Sequence, residues 1–251
     1  MAARGGSSSQ GGSPRRGGPA GRGGSRSGGG RPSGGTARKS TPKRNDREVP
    51  AAPTPAGPFR LGAVPGATPG KWIDTWKQRM PHVALDLTSL TVADQRSALA
   101  RGEVDAAIVR LPLDADGLHV IPLYDEVTVV VCDVDSPLTA ADELTEADLE
   151  GEVVIVPGDD VLGIRLEGTA SPRFENPATT GEAIETVATG VGVVVVPMSL
   201  ARLHHRKDVT FRPLVGALTS SVALAWPVDA TTPLVDAFVG IVRGRTANSS
   251  R

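Results

Sequence analysis

The chain is poor in the residue types that carry most protein chemistry. It has one cysteine, Cys132, in 251 residues. A lone cysteine makes no internal disulfide, and its place inside the apolar run 127–134 marks it as a small buried hydrophobe rather than a catalytic thiol. No apolar run approaches the ~18 residues of a membrane span. The N-terminus carries charge but lacks the apolar core of a secretory signal, so the expected location is cytoplasmic and an exported receptor is not expected. Of the four histidines, His82 follows a helix break, His119 precedes a strand, and His204 and His205 end a helix. None has the spacing of a metal site. Serine, histidine and aspartate never form a nucleophile elbow, and the glycine turns match neither the P-loop nor the dinucleotide fingerprint. The expectation is a protein that is not an enzyme, with no catalytic residue, metal or cofactor.

What is present is unevenly placed. Residues 1–50 hold 11 of the 27 basic residues and two of the 28 acidic ones, a net of about +9, so the remainder carries about −10. The acidic remainder argues against nucleic-acid binding by that part through charge alone. Residues 1–57 are Gly, Ser, Arg and Pro with almost no apolar side chain. They cannot bury enough surface to offset their ordering entropy and are expected to be a disordered basic tail. Arg-Gly-Gly occurs three times, beginning at Arg4, Arg16 and Arg22. Arginine on a flexible glycine chain meets phosphates and stacks on bases without sequence preference. The alternative is a solvated linker with no dedicated partner.

At Phe59 the pattern becomes α/β. A strand at 59–64 is followed by Thr68 as a helix cap and Pro69 at the first helical position. Trp72, Ile73, Trp76 and Met80 then share one helical face. A strand at 83–87 leads to Thr91-Val92-Ala93-Asp94, which opens a helix ending at Gly102, and 104–109 is a buried strand. This order describes a doubly wound lobe. Further strands are expected at 127–132, 153–156, 211–214 and 222–226, a short helix at 144–149, and a closing amphipathic helix at 233–243. The last eight residues are expected to fray. The organising stretch is 179–199. Thr179 and Glu182 have capping-box spacing, and Gly190 stops the helix. The four valines 193–196 have no polar side to turn to water, as in a parallel sheet covered on both faces. Ser199 is expected to cap a helix at 200–205. Ligands of open α/β sheets bind beyond such strand ends.

Several stretches now line up with a known family: Phe59-Arg60-Leu61-Gly62, Arg79-Met80-Pro81-His82-Val83, Gly102-Glu103-Val104-Asp105-Ala106-Ala107-Ile108, 118–124, Ser136-Pro137-Leu138, 144–149 and 187–197. In joint order, over about 185 residues, they resemble the effector-binding (substrate-binding) domain of LysR-type transcriptional regulators. That is a two-lobed, type 2 periplasmic-binding-protein fold. The resemblance implies a domain at 58–251, with a first lobe of about 59–126 plus 227–245 and a second of about 127–221. Two crossover strands, near 127–131 and 222–226, would join them. Family members begin with a winged helix-turn-helix and a linker helix. No helical periodicity precedes Phe59, so operator reading by a recognition helix is not expected. The polar segment 163–177 is short for the second lobe's long helix.

In such domains a small, often anionic effector sits between the lobes, held by hydroxyls and helix-start N–H groups. By position, the resemblance marks Ala67, Thr68, Thr91, Thr179 and Thr180, with Arg110 as a countercharge. Asp159 and Asp160 would repel an anion, so a cationic, zwitterionic or neutral effector stays open. Each threonine has ordinary capping as its alternative, and Arg110 a solvated loop position. Two functions remain. One is an effector-sensing, LysR-like regulatory protein, working as a homodimer or with a LysR-type partner, whose DNA contact runs through the basic tail or that partner. The other is a cytoplasmic solute-binding module or small-molecule enzyme on the same fold, with no DNA role. Neither involves a membrane.

Overall fold

The computed structural model describes residues 57–244. The rest of the basic tail and the chain end at 245–251 lie outside the described residues. In chain order the elements are β1 (Phe59–Ala63), α1 (Gly70–Arg79), β2 (Leu85–Ser89), α2 (Gln95–Ala100), β3 (Ala106–Arg110), β4 (Leu118–Glu126) and β5 (Thr128–Asp133). They continue with α3 (Thr180–Val187), β6 (Val194–Pro197), α4 (Met198–Leu203), β7 (Val209–Pro213), β8 (Ser220–Pro227) and α5 (Pro233–Val242). The first sheet has the order β2–β1–β3–β8–β4 and the second β6–β5–β7. β1 is parallel to β2 and β3, whereas β8 runs antiparallel between β3 and β4. The two sheets are the cores of two lobes. The chain leaves the first at Val127 and returns at 214–219. The stretch 222–226, read from sequence as a crossover, pairs within the first sheet.

Side chains that alternate along each central strand enter two different cores, because successive residues of a strand point to opposite faces. In β3, Ala106 and Ile108 join the cluster of Phe59, Trp76 and Phe238, while Ala107 and Val109 join Leu90, Leu99 and Val104. β8 divides the same way, with Val222, Leu224 and Trp226 on one face and Ala223 and Ala225 on the other. In β5, Val129 and Val131 pack with Ile184 and Val187 of α3. Val130 and Cys132 face Leu138, Leu144 and Leu149. Each lobe is therefore a sheet covered on both sides.

This corrects the parallel sheet expected around 193–196. β6 is buried at every position, yet it pairs antiparallel with β5. An unbroken apolar run reports two-sided burial and says nothing of strand direction. The strand expected at 153–156 is reduced to single parallel bridges, Val153 with Ala170 and Val154 with Val193. The segment 163–177 contains no helix. Helix starts shift as well. α1 begins at Gly70 with Pro69 as its cap residue, so Thr68 lies one position too early to cap it. α4 begins at Met198, which places Ser199 inside the helix and frees its hydroxyl for other work. The capping box at Thr179 and Glu182 is present, the Glu182 N–H donating to Thr179 Oγ1 at 3.2 Å.

The aromatic centre of the first lobe is Trp76, fully buried. It stacks on Phe59 at 4.8 Å between ring centroids and lies 6.0 Å from Phe238. Its indole N–H donates to the Val83 carbonyl at 3.0 Å, tying α1 to the chain that enters β2. Trp76→Ala is expected to cost about 3–5 kcal/mol, measured as a lower urea midpoint at unchanged slope.

Candidate functional site

The carboxyl ends of β1, β2 and β3 lie side by side, because these strands are parallel neighbours. Ala67 and Thr68 follow the first, Thr91 the second, and Arg110 closes the third. Four of the six residues singled out from the sequence thus share one sheet edge. Thr68 is exposed and Ala67 half-buried against the aromatic core. The Thr91 hydroxyl donates to Asp94 Oδ2 at 2.7 Å and accepts the Asp94 N–H at 3.0 Å, so it organises the turn before α2.

Arg110 is not a solvated loop residue. Its side chain is 1% exposed, and Glu126, its ion-pair partner at 2.9 Å, is 9% exposed. Strand register explains the meeting. Arg110 stands opposite Val222 of β8, Ser220 lies two residues away on the same face, and Glu126 stands opposite Ser220. Arg110 Nη1 donates to both Glu126 Oε2 and Ser220 Oγ, the latter at 2.5 Å. The Arg110 backbone is fixed too. Beyond the end of β1, the Gln95 side chain takes the place of a neighbouring strand, donating to the Arg110 carbonyl and accepting its N–H, both at 2.9 Å.

The second lobe reaches this pair through Ser199, the residue that α4 does not use as a cap. Ser199 Oγ donates to Glu126 Oε2 at 2.7 Å and lies 3.5 Å from Arg110 Nη2. It also abuts Gly66, in the loop after β1, so closely that a Cβ there would collide with Ser199 Oγ. Gly66 has a φ of +82°, the left-handed conformation that glycine adopts without strain. Arg110, Glu126, Ser199 and Gly66 therefore clasp the lobes beside the crossover at Val127. Arg110 Nε is buried without a hydrogen-bond partner among the described residues.

Thr179 and Thr180 stand in the second lobe at the start of α3. The Thr179 hydroxyl is committed to the capping box, and the buried Thr180 hydroxyl donates to Asp159 Oδ1 at 2.8 Å. What α3 still offers are its first amides, at Thr180 and Gly181, which have no intrahelical partner. Gly181 packs against the His204 ring at the end of α4. Sequence reasoning missed Glu126, Ser220 and the true role of Ser199. Nothing in the pattern of β4 or β8 discloses that they flank Arg110. It also missed Tyr124, half-buried on β4. Burial pushes its hydroxyl up, and the Glu126 carboxylate adds to this. Arg110 and a backbone hydrogen bond at Thr68 work the other way.

Cys132 is fully buried in β5, and burial pushes its thiol up, away from the reactive thiolate.

The description "LysR substrate binding domain" belongs to the family model that matches residues 52–247. The chain is 28% identical over 202 residues to the Hca operon transcriptional activator HcaR of Escherichia coli (strain K12), covering 75% of this chain and 68% of that one. It is 25% identical over 176 residues to the HTH-type transcriptional regulator AlsR of Bacillus subtilis (strain 168), covering 66% and 58%. It is 31% identical over 166 residues to CatR of Pseudomonas putida, covering 61% and 56%. The chain thus spans between 56% and 68% of the length of these relatives. The fold is shared with solved structures, of which two serve as examples. The OxyR regulatory domain from Pseudomonas aeruginosa superposes with a TM-score of 0.59 at 24% identity, covering 76% of this chain and 100% of that one. The BenM effector binding domain with its effector benzoate gives 0.63 at 18%, covering 77% and 96%.

Removing one member of a buried ion pair strands the other charge. Arg110→Met and Glu126→Ala are each expected to cost about 3–5 kcal/mol in chemical denaturation. The double change Arg110→Met, Glu126→Leu is expected to recover most of that loss.

Proposed function

This chain belongs to the family of LysR substrate binding domains, and from that premise we propose that it is the effector-sensing part of a cytoplasmic transcriptional regulator. A small molecule enters between the lobes, at the edge formed by Ala67, Thr68, Thr91 and Arg110 on one side and the start of α3 on the other. The observation that carries this reading is the clasp at Gly66 and Ser199. Two sheets joined by two short crossovers touch there through a glycine with no side chain and a hydroxyl shared with a buried ion pair. Such a contact has two settings, made or broken, and a ligand that favours one shifts the population.

The charges favour a neutral or zwitterionic effector over a dianion. Glu126 neutralises Arg110, and Asp159 adds a carboxylate next to Thr180. The free donors are backbone N–H groups, which suit a carboxylate, and the neighbouring Glu126 and Asp159 favour one whose charge is balanced within the ligand. A thiol-based sensor is disfavoured, although a probable hydrogen peroxide-inducible genes activator of Mycobacterium leprae is 29% identical over 160 residues. Cys132 is the one cysteine of the chain and it is buried. The residues proposed for the effector also form no acid–base pair, which favours sensing over catalysis.

In a thermal-shift screen of metabolites, a true effector is expected to raise the melting temperature of the full chain. Thr68→Ala with Thr180→Val should weaken its binding about ten-fold, through loss of the Thr68 hydroxyl and of the Thr180–Asp159 hydrogen bond that holds the start of α3. An unchanged affinity would remove these positions from the site. For the DNA role, we propose contact through the basic tail or a LysR-type partner, with homodimerisation as the simplest assembly. Full-length protein is expected to shift DNA in a gel at low salt and to lose it steeply as salt rises. Deleting 1–57 should abolish the shift. A chain that binds no DNA, and recruits no regulator that does, is a solute-binding module instead.

A further inference from the structure

A cavity of about 420 Å³ lies in the second lobe, between the segment 163–166 and the returning crossover at 214–218. That volume falls among small-molecule sites, roughly 300–1,000 Å³. Its aliphatic lining is Ile164 and Leu166 on one side and Leu214 on the other. Val215 and Leu218 also line it and are 52% and 74% exposed. Large aliphatic side chains gathered at one opening mark a surface that is covered when in use.

Two opposite charges stand on its rim. Arg165 is exposed and makes no hydrogen bond or ion pair among the described residues. Glu146 accepts the Glu167 N–H on Oε1 at 2.7 Å, which leaves Oε2 open. A cation and an anion thus border one cavity without pairing with each other. We propose that this cavity binds an apolar α-amino acid as its zwitterion. The carboxylate is held by the Arg165 guanidinium, the ammonium by Glu146 Oε2, and the side chain lies on the aliphatic walls. Pairing of both charged groups on the α-carbon, with a greasy floor for the side chain, favours the zwitterion over a simple acid and a simple amine alike.

The site bears on the hinge. The Leu218 carbonyl accepts the Thr128 hydroxyl at 2.5 Å, and the Val215 N–H donates to the Leu144 carbonyl at 2.7 Å. A molecule seated here rests on the returning crossover and, through Thr128, on the outgoing one.

The test is calorimetric titration of the full chain with L-leucine, 4-methylpentanoate and 3-methylbutylamine. Hydrogen exchange is read at 214–219 in parallel. Leucine is expected to bind and to slow exchange there. The acid and the amine should bind at least about ten-fold more weakly, and Arg165→Gln and Glu146→Gln should each weaken leucine about ten-fold. Both side chains are exposed, so these variants keep the fold, which circular dichroism checks. No leucine binding at millimolar concentration overturns the proposal. So does an acid that binds as well as leucine. Leucine binding that is lost in Thr180→Val but kept in Arg165→Gln places the ligand between the lobes and overturns it as well.

Discussion

Arg110 and Glu126 have been taken out of water where β3, β4 and β8 end and the second lobe begins. Desolvating two ions costs several kcal/mol each, and mutual attraction offsets this only when their hydrogen-bonding capacity is also met. Here the donors and acceptors come from both sides. Ser220 belongs to the first sheet, the Pro65 carbonyl to the loop after β1, and Ser199 to the second lobe. Drawing the second lobe away strips Glu126 of a donor. The position of one lobe against the other is thus linked to how far the hydrogen bonds of a buried charge pair are met.

Much of the frame was legible in the chain. Thr179 and Glu182 announced α3 because a capping box is local chemistry, written in four consecutive residues. Trp72, Ile73, Trp76 and Met80 gave the buried side of α1 for the same reason. Stretches such as Ala106-Ala107-Ile108-Val109 read as covered strands because each face meets its own core. Direction was not legible. β6 is as apolar as any parallel strand but lies antiparallel to β5, since burial depends on what covers the faces and not on which way a neighbour runs. Val153 to Val156 looked like a strand and made only isolated bridges, because its apolar side chains serve a loop packed on the second sheet.

The candidate site was half legible. Positions that follow strand ends could be read by counting, so Thr68, Thr91 and Arg110 fell on one edge. What each side chain does could not. Arg110 depends on Glu126, sixteen residues later, and on Ser220, more than a hundred later, and only the register through β8 brings them together. Ser199 looked like a cap and serves as the link between lobes, because the helix starts at Met198, two residues sooner than counting suggests, with Pro197 as its cap residue. Hydroxyls at helix starts are ambiguous in principle. The same atom suits a backbone amide or a ligand, and in Thr91 and Thr179 it is spent on the backbone.

Gly66 sets how near the jaws can approach. Its neighbour across the gap occupies the very volume a methyl group would need. The smallest side chain at that position would act as a doorstop, wedging Ser199 off Glu126 and biasing the whole domain toward a gaping form. The narrowest setting of the mouth is therefore written in a missing carbon, and one added atom is enough to prop it ajar.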